Sequence, residues 1–360
     1  MKSFIIDHID PLGQGVYKED DQVFFIPKTL PGEHGYFNII KRSKGVNFCE
    51  LVKLTSKSPL RVEPECPHFQ ECSGCHLLHI NYEEELKIKH NNFLKLVLRL
   101  CCELPQIAIL SSSKRLGYRN RIQLHYDLSL NKLGFKKERS NQIINVAECK
   151  IMQNDIKEEY QNLLNNWQQL VKKHRKKQGH LEIYANDDDV RTNWNKAYAH
   201  GGFSQVNIEV NQKIKIYIST LNLPKNIKIL DLFGGQGNFS SIFQESRSIS
   251  VDLYGDQRRN KRYFHLDLFK SSSLSEFKNI HKESFDLLIV DPPRSGFKQL
   301  SDWVLEYSPT YLLYISCHSA TMIRDLSSLI NDYKITNLAV ADLFPATYHY
   351  EGIIFLQKRS

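Results

Sequence analysis

Over the first 59 positions, β-prone runs recur about every 8–12 residues, broken at Gly13–Gly15, Asp20–Asp21, Pro31–Gly32 and Ser43–Gly45. That spacing predicts a small barrel or sandwich. The period then changes. In residues 82–100, Leu86, Phe93, Leu94, Val97 and Leu98 fall at helical spacing, with acids ahead of bases, which predicts a helix with one core face. Residues 116–135 read as a strand pair turning near Asn131, and 152–178 as an amphipathic helix with a basic end, KKHRKK. Leu181–Ala185 and Ala197–His200 add further strands. From residue 227, apolar runs alternate with helical stretches: Ile227–Leu230, Ser248–Asp252, Phe285–Val290, Tyr311–Ser316, Asn337–Asp342 and Gly352–Gln357. That rhythm predicts an α/β domain with a mostly parallel, doubly wound sheet and its sites at strand ends.

The strand ends carry candidate chemistry. Ile227–Ser240, IKILDLFGGQGNFS, is a strand, an acid, a glycine-rich turn and the start of a helix. Gly234, Gly235 and Gly237 let backbone approach a ligand closely. Asp231 at the mouth would repel a pyrophosphate, and Asp252 stands where a ribose-binding carboxylate belongs, about 20 residues on. Two acids without a phosphate cradle suit S-adenosylmethionine, whose ammonium and sulfonium are positive. Asp291 opens DPPRSGF, where Pro292–Pro293 forces an extended turn and Arg294 can fork onto a carboxylate or phosphate. Cys317 lies between a strand and a helix whose N-terminus would depress a thiol pKa, the position of a nucleophile.

A second cluster lies upstream. Cys66, Cys72 and Cys75 form C-x5-C-x2-C in CPHFQECSGCHLLHI, and three thiols so close point to a metal. Candidates for a fourth ligand are His68, His76, His79 and the distant Cys149. Cys149 has no other evident role, so the set is assigned to a [4Fe–4S] cluster, with zinc as the second choice. Tyr118, Arg119, Arg121 and Gln123 could hold phosphates and a base, or form a salt-bridged sheet surface.

Composition narrows the partners. With 360 residues, two or three domains are expected. The 48 Lys and Arg against 40 Asp and Glu give a net charge of +8, which favours a polyanion. Lys41, Arg42, Lys44, Lys53 and Lys57 place positive charge in the second half of the N-terminal segment. No apolar run approaches the roughly 20 residues of a membrane span, and MKSFIIDHID lacks a signal-peptide pattern. The eight cysteines are too unevenly placed for a secreted disulfide framework, so a reducing, cytoplasmic location is expected.

Taken together, GYRNR, LGFKKERSNQIINVAEC, GGFSQVN, DLFGGQGNF, DPPRSGF, YISCHSATMIRDL, DLFPATYHYEGIIF and the cysteine set resemble the S-adenosylmethionine-dependent RNA uracil-5 methyltransferases of the iron–sulfur ribosomal-RNA type. The N-terminal segment is similar to a TRAM domain. The resemblance runs end to end. It implies three domains: residues 1–59 an OB-like RNA-binding barrel, 60–200 a central α+β iron–sulfur and RNA-binding domain, and 201–360 a Rossmann-like class I methyltransferase domain. Residues 82–112 are expected to pack with the last. By position, the resemblance implies cofactor contacts from Gln205, Phe233, Asp252 and Asp291, Cys317 as nucleophile and Glu351 as base. It also implies a monomer acting on ribosomal RNA, with transfer RNA as the alternative. Three departures stand out. Gly234 replaces a cysteine, which reads as harmless; His318–Ser319 replaces Asn–Pro; and only a short segment joins Asp252 to Asp267, near the minimum for a parallel crossover. A cytosine-5 methyltransferase or a non-catalytic RNA-binding factor are the other readings. The former tends to carry a further cysteine near the proline-rich motif, absent from DPPRSGF, and the intact Cys317 and Glu351 oppose the latter.

Overall fold

The computed structural model describes residues 1–173, 176–186, 189–197, 200, 204–253 and 262–359. The chain divides into two compact units: Met1–Lys87, Ser112–Ile208 and Phe344–Tyr348 form the first, and Ile88–Ser111, Glu209–Leu343 and His349–Ser360 the second.

The first unit opens with six strands, β1 (Lys2–Ile5), β2 (His8–Ile9), β3 (Gln14–Glu19), β4 (Gln22–Pro27), β5 (His34–Ser43) and β6 (Val46–Ser56), in the sheet order β1-β5-β6-β4-β3-β2. Two-residue turns at Asp20–Asp21 and Lys44–Gly45 have positive φ at both positions, the geometry that matches hairpin twist. Alternate positions turn inward, so Phe4, Phe24, Ile26, Phe37 and Cys49 form one core. Next along the chain come helix α1 (Tyr82–Val97) and strand β7 (Ile107–Leu110), the latter part of the second unit.

A second sheet, also in the first unit, combines β8 (Arg121–Asp127), β9 (Lys132–Lys136), β10 (Ile143–Ile144), β11 (Gln178–Asn186) and β12 (Asp189–Trp194) in the order β10-β9-β8-β11-β12. Helix α2 (Asn154–Lys173) buries Ile156, Tyr160, Leu163, Trp167 and Val171 against Ile122, Leu124, Leu181 and Ile183. The strand expected at Ala197–His200 includes residues 198 and 199, which lie outside the described residues; the partner of β11 there is β12.

The placement of two expected RNA contacts is corrected here. Arg121 is fully buried, with Nη1 donating to Glu182 Oε1 at 3.0 Å and the guanidinium 4.7 Å from the Tyr184 ring centre. Tyr118 is buried, and its hydroxyl donates to the Pro345 carbonyl at 3.0 Å. These two side chains face the core, where a cation persists only with a paired carboxylate.

The second unit adds α3 (Ile208–Ser219), β13 (Lys228–Leu232), β14 (Arg247–Asp252), β15 (Tyr263–His265), α4 (Ser273–Ile280), β16 (Leu287–Val290), α5 (Leu300–Tyr307), β17 (Tyr311–Ser316), α6 (Ser319–Leu326), β18 (Tyr333–Ala341) and β19 (Glu351–Lys358). Its sheet runs β15-β14-β13-β16-β17-β19-β18-β7. The strands from β15 to β17 are parallel, while β19 lies antiparallel to both β17 and β18. Phe93 and Val97 of α1, Phe277 of α4 and Trp303 of α5 join the sheet residues in one apolar core. The helix expected straight after the glycine turn is replaced by turns and a 3-10 segment, Ser240–Ile242. Phe233, Gly235 and Gly237 there have φ of 60°, 53° and 79°, which an α-helix excludes. The connection between Asp252 and β15 falls mostly on residues 254–261, outside the described residues. Among the described residues, no helix is long and apolar enough to cross a membrane.

Candidate active site

In the second unit, the strand order changes direction between β13 and β16. The carboxyl ends of such strands frame a ligand crevice at that switch point. Three acids stand there: Asp231 within β13, Asp252 ending β14 and Asp291 following β16. Asp231 is 1% exposed, and its Oδ2 accepts from Ser240 Oγ at 2.6 Å. Asp252 Oδ2 accepts from the Gly235 amide at 3.0 Å, so the glycine turn is tied to the neighbouring strand. Burial pushes Asp231 up to about 7. Burial, then the charges of Asp231 and Asp252, push Asp291 up to about 7 as well.

The backbone of the turn is specialised at two positions. Phe233 holds φ of 60°, rare for a bulky residue, with its ring between those of Phe269 and Phe297 at 5.4 and 5.1 Å. At Gly234, a Cβ would come within 2.3 Å of Ser250 Oγ and 2.6 Å of the Asp231 carboxylate. The glycine that stands here in place of the resembled family's cysteine is therefore fitted to its surroundings. In this chain any larger residue would require Ser250 or Asp231 to move.

The reactive pair is assembled by sheet topology. Strands β17 and β19 are antiparallel, with Ser316 opposite Gly352. The residue leaving β17, Cys317, therefore emerges beside the residue entering β19, Glu351. Glu351 is 4% exposed, and its Oε2 has no hydrogen-bond partner among the described residues. Burial, reinforced by Asp291, raises its carboxyl well above the usual range. The expectation of a depressed thiol pKa at Cys317 is overturned. Burial, then the nearby Glu351 carboxylate, push the thiol up to about 12, and Arg294 acts in the opposite direction. A short helix start does not offset that desolvation.

The loop carrying Arg294 is held from beneath. Asp325 Oδ2 accepts from the Phe297 amide at 2.6 Å and from the Tyr314 hydroxyl at 2.7 Å, while Gly296 turns with φ of 72°. Thr321 Oγ1 donates to the Arg294 carbonyl at 3.2 Å. Sequence reading passed over Asp325, Ser240 and Ser250; a buried polar residue in an apolar helix or strand was the available signal.

Phe233, Asp252, Asp291, Cys317 and Glu351 thus share the second unit. Gln205 belongs to the first, where its carbonyl accepts from Asn120 Nδ2 at 3.0 Å. Residues 201–203 of its motif lie outside the described residues.

In the first unit Cys66, Cys72, Cys75 and Cys149 line one cavity of about 170 Å³, together with His68, Arg119 and Gln123. All four are free thiols. His76 and His79 do not line it; His79 packs on the Phe69 ring at 5.5 Å. Burial raises the thiols of Cys72 and Cys75, and pushes Cys149 up to about 11. Among the described residues, no three His, Cys, Asp or Glu side chains converge tightly enough to chelate one ion.

Residues 262–359 match the family profile described as tRNA (Uracil-5-)-methyltransferase. Along nearly the whole chain there is similarity to the 23S rRNA (uracil(1939)-C(5))-methyltransferase RlmD of Shewanella sediminis: 27% identity over 98% of this chain and 95% of that protein. Its similarity, over nearly its whole length, is to RNA (uracil-5-)-methyltransferases. The protein of the same name from Marinomonas sp. is also 27% identical, over 100% of this chain and 95% of its own length. Among solved structures, the Pyrococcus abyssi tRNA (uracil-54, C5)-methyltransferase in complex with S-adenosyl-L-homocysteine matches with a TM-score of 0.73, at 20% identity, over 98% of this chain and 99% of that one. That likeness carries the methyltransferase fold.

Proposed function

We propose that this protein methylates C5 of a uridine in 23S ribosomal RNA, with S-adenosylmethionine as methyl donor and Cys317 and Glu351 as its catalytic residues. The observation that carries the reading is the β17–β19 register, which sets a thiol beside a buried carboxyl in the same sheet whose β13 leads into the glycine turn. Relatives that bear the 23S name and match 98% and 100% of this chain favour ribosomal over transfer RNA.

The chemistry explains why both groups are needed. C5 of uracil is a poor nucleophile until C6 is saturated. Addition of Cys317 Sγ to C6 breaks the C5–C6 double bond and places the electron pair on the enolate, which makes C5 reactive. Bound S-adenosylmethionine supplies an electrophilic methyl on a cationic sulfur. Once C5 carries the methyl, Glu351 takes the C5 proton, the double bond re-forms and Sγ leaves. Phe233, Asp252, Asp291 and Gln205 are assigned to holding the donor. Mass spectrometry of 5-methyluridine in ribosomal and transfer RNA, from cells with and without the protein, tests the assignment. A missing mark in transfer RNA alone would move the substrate there.

The raised acids give a pH signature. Asp231 and Asp291 have folded values above the unfolded 3.8, so their contribution to stability is present at low pH and is lost as pH rises through about 7. Ionised, they attract a cation. Affinity for S-adenosylmethionine is therefore expected to strengthen from about pH 6 to pH 8, more than affinity for uncharged-sulfur S-adenosylhomocysteine. Calorimetry at several pH values measures both; parallel pH dependences for the two ligands would remove the carboxylates from this role.

We further assign the four-cysteine cavity to a [4Fe–4S] cluster that holds the first unit together and takes no part in methyl transfer. Four free thiols around a cavity suit a cluster, whose irons and sulfides separate the thiolates, better than one zinc ion that must draw them within about 2.3 Å of itself. Anaerobically purified protein is expected to be brown with about four irons, and replacement of Cys66, Cys72, Cys75 or Cys149 should bleach it. Stoichiometric zinc without iron would overturn the cluster. The six-stranded sheet at residues 2–56 is read as the TRAM-type RNA-binding barrel.

A further inference from the structure

Arg294 favours the charged form of both reactive groups: its positive charge acts on the Cys317 thiol and on the Glu351 carboxyl. Its loop is held by the turn in which the Gly296 amide donates to the Pro293 carbonyl at 2.8 Å, while the Thr321 hydroxyl is shared between the His318 carbonyl at 2.8 Å and the Arg294 carbonyl at 3.2 Å. Its side chain is exposed and long, so fixing the guanidinium costs rotamer freedom unless a partner holds it. His349 is such a partner, with Nε2 3.4 Å from Arg294 Nη2. His349 sits two residues before Glu351, just ahead of β19.

We propose that His349 is a positioning residue for the reaction: as a neutral imidazole it accepts a hydrogen bond from Arg294 and holds the guanidinium against Cys317, where the thiolate must form. The inference rests on the reading of Cys317 as nucleophile. A guanidinium has donors only, so the contact requires a lone pair on Nε2 and the proton on Nδ1. An imidazolium has no such lone pair and repels Arg294. Arg324 of α6 donates to the neighbouring Ser295 carbonyl at 2.9 Å. Acidic groups around the reactive centre include Asp291 before the Arg294 loop, Cys317 at the β17–α6 turn and Glu351 on β19. Each of these three, when ionised, attracts the guanidinium, so protonation of His349 is the change that releases it.

The test reads thiolate availability directly. The rate at which iodoacetamide alkylates Cys317, followed by mass spectrometry of its peptide, is measured against pH in the full-length wild type, His349→Ala and His349→Gln. The wild-type rate is expected to show a step as His349 loses its proton, on top of the rise from thiol ionisation. His349→Ala should be slower by about tenfold, the order of one lost charge-assisted hydrogen bond. His349→Gln, whose carbonyl can accept from the guanidinium, should recover most of the rate and lose the step. A His349→Ala profile that superimposes on the wild type, or a step that survives in His349→Gln, would overturn the proposal. Methyl transfer to uridine by the same wild-type preparation tests the assigned reaction separately.

Discussion

Cys317→Ala is expected to abolish both methyl transfer and covalent attachment to RNA, because no other group at this strand end can add to C6. Glu351→Gln should fail differently. The carboxamide cannot take the C5 proton, yet addition and methylation can still occur, so the methylated adduct should build up as a protein–RNA complex that survives denaturing electrophoresis. Loss of a general base typically costs ~10²–10⁴-fold in turnover. The two variants thus separate nucleophile from base in one gel. Normal methylation by Cys317→Ala would end the mechanism, whereas normal turnover by Glu351→Gln would only move the base elsewhere. The burial of both groups adds an expectation to this pair. With the thiol up to about 12 and the carboxyl raised, the resting site holds its protons, and substrate together with Arg294 must draw out the charge.

The sequence made the strands of the second unit legible because buried parallel strands appear as continuous apolar runs, and Asp252, Asp291 and Cys317 follow from their ends. It did not reveal β7 and β15, since three- and four-residue edge strands carry too little periodicity. Nor did it show why Glu351 meets Cys317. That depends on β19 running antiparallel between β17 and β18, a long-range pairing that no local pattern encodes. The direction of the Cys317 shift was misjudged for a related reason: the helix start is visible in sequence, while the desolvation that outweighs it comes from strands distant along the chain. Arg121 illustrates the limits of alternation. In sequence it is one more arginine in GYRNR, and only Glu182 on the adjacent strand shows that it points inward.

Lys89→Ala is expected to be the most destabilising single change in the second unit. Lys89 Nζ and Asp342 Oδ1 are 2.7 Å apart with both side chains fully buried. Truncating the lysine strands a carboxylate in the core, a loss of roughly 3–5 kcal/mol for a buried pair broken on one side. Asp342 follows β18, whose last residue, Ala341, is registered against Glu351. Loosening there reaches the base itself, so methyl transfer should fall along with stability. The double change Lys89→Met with Asp342→Leu removes both charges and should recover much of the stability, since well-packed apolar replacement of a buried pair is often near neutral. Urea unfolding, with Trp303 fluorescence reporting on the core of this unit, together with hydrogen exchange in β18, measures both variants. An unchanged midpoint for Lys89→Ala would mean that Asp342 finds another partner or takes up a proton, and the double variant would then show no recovery to distinguish it from the single one.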